Sequence, residues 1–355
     1  MAKILIKNGK LWNGEEFSKG DVFVNGKCIE KIAPEIVEEA DFIFDADGKI
    51  VSPGLIDLHV HMQGFSSTEF AVNTEVSSFP FGVTAVNDAG SIHGNKERLE
   101  QLAVKSTVFV CVDIKANHAD LEDLDARIET YGERAIGLKV YFDSEISDVQ
   151  DIRPLQEICE YARKRDLKVM VHCSNSPVSM QEIIHTLSRG DILTHAYHGG
   201  VNSCAEEDFV AFRIAKERGI VIDTGFAGYV HTNFQNFKHA IKAGYLPDTI
   251  STDITKYSAF KRGGRYGMTM CMSMAREAGM READILKAVT STPAKVLGKS
   301  KEWGYLQVGR CADIAILNEV CEPFYLQDQE NNVLESNKSY RCVLTICDGQ
   351  VVYRD

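Results

Sequence analysis

The chain has 355 residues, of which 44% are hydrophobic and 25% charged, and it carries a net charge of −12. This negative charge repels polyanions and no dense basic run offsets it, so we expect neither nucleic acid nor an anionic membrane as a partner. No apolar run approaches the roughly 18 residues of a transmembrane helix, and no signal sequence precedes the first predicted strand. We therefore expect a cytoplasmic protein that acts on a small molecule.

Both ends of the chain carry short β-strand patterns. Near the N-terminus, the apolar runs 4–6 and 21–24 are each followed by an Asn-Gly turn, which favours tight hairpins. Similar short apolar runs occur towards the C-terminus, for example in residues 312–317. We therefore expect residues 1–50 and 305–355 to pair into one small, β-sandwich-like domain.

Residues 51–304 alternate between apolar, β-branched runs and helical patterns such as 154–165 and 206–218. Strands that alternate with helices predict a parallel α/β sheet, and eight repeats over about 250 residues predict a closed (β/α)8 TIM barrel. A doubly wound sheet is the alternative, but no change of pattern marks a switch point. The eight predicted strands are 55–59, 82–88, 107–114, 135–141, 168–172, 191–195, 219–223 and 249–253.

Ionisable side chains occur at the ends of five of these predicted strands. The first strand leads into a His-x-His pair, which places both imidazoles on one face of an extended chain. Any one of these residues has a simple structural explanation, because buried histidines often donate to carbonyls and aspartates often cap helices. Since barrel strands end at one rim, however, we expect the whole set to converge there. Its members are His59, His61, Lys139, His172, His195 and Asp253.

Seven segments of the chain form a characteristic set, namely 53–61 (PGLIDLHVH), 137–140 (GLKV), 171–173 (VHC), 194–196 (THA), 251–253 (STD), 292–294 (TPA) and 304–314 (GYLQVGRCADI). In these segments the sequence resembles the amidohydrolase superfamily, almost from end to end. The resemblance implies a metal-dependent hydrolase barrel with a flanking β domain built from both termini. It also implies that His59, His61 and Asp253 hold one metal, that His172 and His195 hold another, and that carbamylated Lys139 bridges the two.

The chemistry of these residues agrees with that assignment. Burial of Lys139 should lower its pKa and favour the neutral amine, which can take up carbon dioxide and become an anionic ligand with two oxygens. Two divalent ions roughly 3.5–4 Å apart can share a hydroxide and polarise the carbonyl that it attacks. Asp253 would then pass the proton of that hydroxide to the leaving group. The ligand types suit zinc, with manganese or iron as alternatives.

Two positions separate the subgroups of this superfamily. The single-metal deaminases carry a glutamate three residues after the strand-five histidine, where this chain has Asn175. Dihydroorotases carry an arginine two residues after the second histidine, where this chain has Gln63. The pattern most resembles the dihydroorotase-like deacetylases, which cleave acetyl amides or esters of small acids. A hydrolase of cyclic amides, like dihydroorotase or hydantoinase, is the alternative, and a non-catalytic scaffold is disfavoured because all six ligands are kept.

A cluster of cations follows the last predicted strand, in an otherwise acidic chain. It includes Arg262 and Arg265. Because the guanidinium fork suits a carboxylate, we predict a carboxylate-bearing substrate that pairs with one of these arginines. The sequence leaves open whether the chain forms a homo-oligomer.

Three further histidines and one aspartate lie near the predicted rim. His198, three residues after His195, is a candidate for supporting a ligand or contacting the substrate. His118 and His231 fall in the loops after the third and seventh predicted strands, where exposed histidines are commoner than substrate contacts. Asp88 ends the second predicted strand and is interpreted as a structural carboxylate.

Overall fold

The structure is a computed structural model that describes residues 2–62, 70–91, 100–261 and 266–355. Its strands form two large sheets and two short hairpins. In chain order the strands are β1 Lys3–Trp12, β2 Phe17–Asn25, β3 Cys28–Ala33, β4 Phe42–Asp45, β5 Ile50–Pro53, β6 Leu55–Val60, β7 Val83–Ser91, β8 Lys105–Val112, β9 Ile114–Lys115, β10 His118–Ala119, β11 Ala135–Tyr141, β12 Lys168–His172, β13 Ile192–Thr194, β14 Val221–Ile222, β15 Ile314–Val320, β16 Phe324–Gln327, β17 Val333–Ser336, β18 Ser339–Cys347 and β19 Gln350–Arg354.

Helices connect most of the strands in the middle of the chain. None of the helices in the described ranges is long and apolar enough to cross a membrane. Short 3-10 helices occur at Phe79–Phe81, Gly132–Arg134, Glu206–Phe209 and Ala227–Tyr229. The α-helices are α1 Thr74–Ser78, α2 Leu124–Tyr131, α3 Arg153–Arg163, α4 Met180–Thr186, α5 Val210–Arg218, α6 Phe234–Lys242, α7 Lys256–Lys261, α8 Met268–Glu277, α9 Glu282–Val289 and α10 Ser291–Val296.

One eight-stranded sheet combines strands from both ends of the chain. Its order is β19-β18-β15-β5-β1-β2-β3, and β4 also pairs with β1. The hairpins β1–β2 and β18–β19 are antiparallel, whereas β5 runs parallel to β1 and antiparallel to β15. The inner face of this sheet buries a core of its own, which includes Ile6, Val22, Val51, Ile316 and Leu344.

The second large sheet is parallel and contains seven strands, in the order β14-β13-β12-β11-β8-β7-β6. Its strands are buried almost throughout, as expected for a parallel sheet covered on both faces, and this confirms the predicted α/β class. The bounds of β11 and β12 coincide with the predicted runs 135–141 and 168–172. The register pairs Tyr141 with His172, so these strands end at the same edge of the sheet.

The eighth predicted strand, 249–253, is not formed as a strand. Single parallel bridges instead join Thr249 to Asp223 and Ile254 to Val60. Asp253 has a φ of 48°, a left-handed conformation that interrupts an extended chain. The run therefore lies between the last and the first strand of the parallel sheet without the regular pairing of either.

The predicted helix 206–218 is shorter in the structure, because α5 begins only at Val210. Glu206 closes a turn before the helix, since its backbone N–H donates to the Ser203 carbonyl at 3.2 Å and its carboxylate accepts from the Ser203 N–H at 3.1 Å. Glu207 and Asp208 then adopt left-handed conformations that break the helical path. The predicted helix 154–165 corresponds closely to α3.

An ion-pair cluster joins the two large sheets. Lys105, the first residue of β8, places its Nζ 2.6 Å from carboxylate oxygens of both Asp313 and Asp348. Burial alone would lower the pKa of Lys105, but the two carboxylates outweigh it and raise the pKa, so the lysine is charged. The cluster also contains Cys311, whose Sγ lies 3.9 Å from Nζ. Cys311, Asp313 and Asp348 could hold a metal by donor type, yet the lysine already supplies the cation.

We expect Lys105→Met to destabilise the protein by on the order of 2 kcal/mol, between the values typical of exposed and buried ion pairs. The substitution leaves Asp313, whose side chain is 10% exposed, without its cation. The matched control is Lys115→Met, because Lys115 pairs with Asp120 at the same 2.6 Å but is 73% exposed. Chemical denaturation of both variants measures the difference. Equal stability of the two variants would show that the cluster does not stabilise the contact between the sheets.

Candidate metal centre

The first group of candidate ligands forms where β6 ends. His59 lies within β6 and His61 directly follows it, and both side chains are buried. Their Nε2 atoms lie 3.3 and 3.0 Å from Oδ1 of Asp253. The backbone N–H of Asp253 donates to the His59 carbonyl at 2.7 Å, which fixes the aspartate beside the strand. One donor atom from each residue lies within 4.8 Å of the other two.

A chain of hydrogen bonds orients the His59 ring. The Thr194 hydroxyl donates to Asp223 Oδ2 at 2.7 Å, so Thr194 Oγ1 accepts from His59 Nδ1–H at 2.9 Å. Asp223 also accepts from the hydroxyls of Thr249 and Ser251, each at 2.7 Å, and is thereby held in place. Because the proton lies on Nδ1, His59 Nε2 carries a lone pair, and this nitrogen lies on the side of Asp253. Outer partners of this kind set the tautomer of metal-binding histidines.

The second group forms at the ends of β12 and β13. His172 Nε2–H donates to Asp143 at 3.3 Å, because an ionised carboxylate can only accept, and this leaves Nδ1 free to bind a ligand. His195 Nδ1–H donates to the Gly225 carbonyl at 2.7 Å, which leaves Nε2 free. The two ring centroids are 4.3 Å apart. Each histidine is therefore held through one nitrogen and presents the other.

His231 joins this second group, although the sequence placed it only in the loop after the seventh predicted strand. Its ring centroid lies 4.8 Å from that of His172 and 4.5 Å from that of His195. Its Nδ1 lies 3.2 Å from the Ser174 hydroxyl. A loop that follows a barrel strand overhangs the rim, and this was the only signal in the sequence that could have selected His231.

Lys139 lies beside the first group, on the strand next to the one that ends at His172 of the second group. Its side chain is fully buried in the middle of β11, and its Nζ is 3.2 Å from His59 Nε2. Burial lowers the pKa of Lys139 to about 8, against the opposing influence of Asp253 and Asp223. Its strand, β11, pairs in parallel with β12, which ends at His172 of the second group.

The protonation states suit metal binding. Burial, followed by the Lys139 charge, lowers the pKa of His59 to about 4. Burial also holds the pKa values of His172 and His195 well below the ordinary range. Burial alone would raise the pKa of Asp253, but His59 and His61 outweigh it and hold the pKa well below its usual value. Neutral imidazoles and an ionised carboxylate are the forms that bind divalent ions.

One buried nitrogen of the centre is available to a ligand. His195 Nε2 is buried and has no hydrogen-bond partner among the residues that the structure describes. An unsatisfied buried polar atom costs about 1–3 kcal/mol, which a bound ion would remove. Imidazole and carboxylate donors grouped in this way fit divalent metals such as zinc. The residues present therefore form candidate metal sites.

The other residues selected from the sequence lie in several places. His198 is buried, and its Nδ1 accepts from the Gly200 N–H at 3.1 Å, so Nε2 carries the proton. Asp88 accepts from the Met62 N–H at 2.8 Å and supports the chain next to His61. His118 is exposed and pairs with Glu157 at 2.8 Å. Three predicted positions lie outside the described residues, namely Gln63, Arg262 and Arg265.

Gly225 is the position where a small change should disturb the second group most. Its φ is 49°, and an added Cβ would lie 2.4 Å from Thr194 Oγ1 and 2.6 Å from His195 Nδ1. We expect Gly225→Ala to displace His195 and to weaken metal binding about 10- to 100-fold, as the loss of outer partners does. Competition with a chromogenic chelator measures that affinity.

The matched control for this prediction is Gly244→Ala. Gly244 also has a positive φ, of 90°, but an added Cβ there meets nothing within 4 Å. The control therefore carries the backbone strain without the clash. Equal metal affinity in the two variants would mean that the Gly225 carbonyl does not position His195.

The parallel sheet and the histidine and aspartate groups at its edge define a metal-dependent enzyme of the α/β class. Residues 50–352 match the Amidohydrolase family, so the chain belongs to this family of metal-dependent hydrolytic enzymes. The resemblance predicted from the sequence is thereby confirmed.

Named relatives and solved structures agree with that assignment. A deacetylase from Brucella anthropi is 29% identical over 343 residues, which cover 90% of this chain and 83% of the relative. A crystal structure of a dihydroorotase matches with a TM-score of 0.89 at 24% identity, over 100% of this chain and 98% of its own. A crystal structure of an adenine deaminase matches with a TM-score of 0.85 at 24% identity, over 100% of both chains. Matches to solved structures at this identity support the fold alone.

Proposed function

We propose that the protein is a hydrolase with two metal ions that cleaves an acetyl amide or ester bond of a small, carboxylate-bearing substrate. In this proposal His59, His61 and Asp253 hold one ion, and His172 and His195 hold the other. The observation that supports the proposal is the buried Lys139, whose Nζ lies 3.2 Å from His59 Nε2 and whose strand pairs with the one that ends at His172. The ligand types favour zinc.

Lys139 would serve as a bridge after carbamylation. A buried amine with a lowered pKa is neutral in a larger fraction of molecules, and a neutral amine adds to carbon dioxide. The addition forms an N–C bond and releases one proton from the nitrogen, so the carbamate would carry a negative charge and two oxygens able to bind divalent ions. This would convert an unfavourable buried ammonium next to His59 into a ligand that the centre needs.

Asp253 would move the proton during hydrolysis. The bound ions would supply a water of lowered pKa and polarise the carbonyl under attack. Asp253 lies within 3.3 Å of both imidazoles of its group and is ionised, so it can accept a proton from that water. It would then donate the proton to the departing amine or alcohol.

The deacetylase assignment rests on names and on one side chain. Relatives named deacetylase, such as the Brucella anthropi protein, cover most of the chain. Asn175 stands where deaminases of this superfamily place a glutamate, which disfavours deamination. Hydrolysis of a cyclic amide is the second candidate, because a relative named dihydroorotase from Lactobacillus leichmannii covers 99% of this chain at 24% identity.

We also propose a division of the chain into two parts. Residues 51–304 would form the closed eight-stranded barrel, with 249–253 as the closing element. The bridges from Asp223 to Thr249 and from Val60 to Ile254 support this closure. Residues 1–50 and 305–355 would form the β domain, which the shared sheet of β1–β5 with β15, β18 and β19 supports.

A hydrolysis screen of the metal-loaded protein tests the proposed function. N-acetyl amino acids, O-acetyl hydroxy acids and cyclic amides such as dihydropyrimidines and hydantoins form its three arms. We expect turnover in one of the first two arms, lost on chelation. Turnover confined to the cyclic amides would replace the deacetylase by the second candidate, and no turnover in any of the three arms would overturn both.

The substrate's charge gives a separate prediction. We expect kcat/KM for an acid to exceed that for its neutral amide or methyl ester, because an arginine after the eighth predicted strand would pair with the carboxylate. Arg262→Met or Arg265→Met should reduce this preference by about 1–3 kcal/mol, measured as the ratio of kcat/KM values. Equal turnover of acid and neutral analogue by the wild type would show that these cations have no part in recognition.

A further inference from the structure

We propose that His231 is a third imidazole ligand of the second metal ion, together with His172 and His195. This inference rests on the proposed function, because it requires metal ions at the centre. The inference goes beyond the proposed function because it adds a third protein nitrogen to the two that the strand-end histidines supply to the second ion.

The three rings surround one point. Their centroids are separated by 4.3 Å for His172 and His195, 4.8 Å for His172 and His231, and 4.5 Å for His195 and His231. One nitrogen of each lies within 4.8 Å of the others. Zn–N bonds of about 2.0–2.1 Å bring tetrahedral ligands to about 3.4 Å from each other, so a small inward movement completes the site.

The His231 ring is oriented by the loop that carries another ligand. Ser174 follows His172 by two residues, and its hydroxyl lies 3.2 Å from His231 Nδ1. This contact engages Nδ1 and leaves Nε2 as the nitrogen available to an ion. His172 and His195 are held in the same manner, each through one nitrogen, by Asp143 and the Gly225 carbonyl.

The segment before and after His231 is anchored to its neighbours. The N–H of Ala227 donates to the Thr252 carbonyl at 2.9 Å, next to Asp253. On the other side, the N–H of Asn233 donates to the Tyr197 carbonyl at 2.9 Å, and the Asn233 side chain caps α6. The histidine thus belongs to a loop that is held by backbone hydrogen bonds on both sides of it.

Burial and position distinguish His231 from the other histidines that were not predicted to be metal ligands. His231 is half-buried at the centre, whereas His118 is exposed and pairs with Glu157. His198 is buried but is absent from both groups of candidate ligands. The alternative role for His231 is a contact to the substrate. Measurement of metal binding in a His231 variant distinguishes this role from that of a metal ligand.

The experiment replaces the resident ions with cobalt and compares wild type, His231→Ala and the surface control His118→Ala. Metal content per chain, chelator-driven release and the visible cobalt spectrum are measured, with circular dichroism to verify the fold. We expect His231→Ala to release one of two ions at least 10-fold faster and to alter the spectrum, since the coordination number changes. His118→Ala should match the wild type. If His231→Ala does not fold, the isosteric His231→Gln takes its place.

The outcomes separate this inference from the proposed function. A wild type that binds two ions, with a His231 variant of unchanged spectrum and release rate, overturns the third ligand and leaves the hydrolase intact. If a turnover assay of the same variant shows a raised KM while its spectrum and release rate are unchanged, His231 contacts the substrate and the third ligand is equally overturned. A wild type that binds no stoichiometric metal overturns both proposals.

Discussion

Replacing Lys139 with alanine is expected to abolish hydrolysis while the protein remains folded. The variant loses the proposed bridge between the two groups, and with it an anionic ligand of both ions. In the metal-free protein the substitution removes an amine whose charged form is disfavoured by burial, so we expect the fold to remain. We therefore expect lower metal occupancy, measured by elemental analysis, together with an unchanged circular dichroism spectrum.

Two controls make this prediction specific. Lys168→Ala removes a lysine from the start of the neighbouring β12, away from the edge at which the candidate ligands lie, and should leave metal content and turnover unchanged. Addition of acetate to the Lys139 variant should restore part of the activity, because a small carboxylate supplies two oxygens, whereas chloride at equal ionic strength should not. A full complement of two ions with normal turnover in Lys139→Ala would exclude the carbamate.

Asp253→Asn is expected to lower kcat by about 10²–10⁴, the usual contribution of a positioned proton carrier. Asparagine has nearly the same shape and keeps an oxygen towards His59 and His61, but it cannot accept the proton. The measurement is made at saturating metal, so that weaker binding of the first ion does not lower the rate. A lost ligand and a lost proton carrier are thereby distinguished.

The control for this substitution is a carboxylate far from the centre. Asp125→Asn removes a surface aspartate that pairs with Arg165 and is 64% exposed, and it should leave kcat unchanged. If Asp253→Asn retains near-normal kcat with both ions bound, the aspartate does not carry the proton and is a ligand at most.

The parts of the fold that the sequence predicted best are those determined by contiguous residues. The runs 135–141 and 168–172 are uninterrupted apolar segments buried in a parallel sheet, and they form β11 and β12 at the predicted bounds. The run 249–253 looks similar in sequence, but Thr249 and Ser251 donate their hydroxyls to Asp223, and Asp253 turns into the left-handed region. Tertiary hydrogen bonds thus outweigh strand propensity there.

The candidate site divides in the same way. The His-x-His pair, Lys139 and the strand-end histidines could be selected because a strand fixes where its last residue lies. His231 could be identified only as a histidine in a loop near the rim, because its exact position depends on contacts of that loop to distant residues such as Thr252. Asp143 and Gly225 orient the imidazoles of His172 and His195, and the sequence could not predict them as partners. The local sequence does not specify which loop approaches which ring.

Metal analysis of the purified protein, followed by chelation and reconstitution, tests most directly the two catalytic metal ions that we propose. We expect two divalent ions per chain, loss of hydrolysis when they are removed, and recovery in proportion to the metal returned. Hydrolysis that persists undiminished in fully metal-free protein would contradict this proposal.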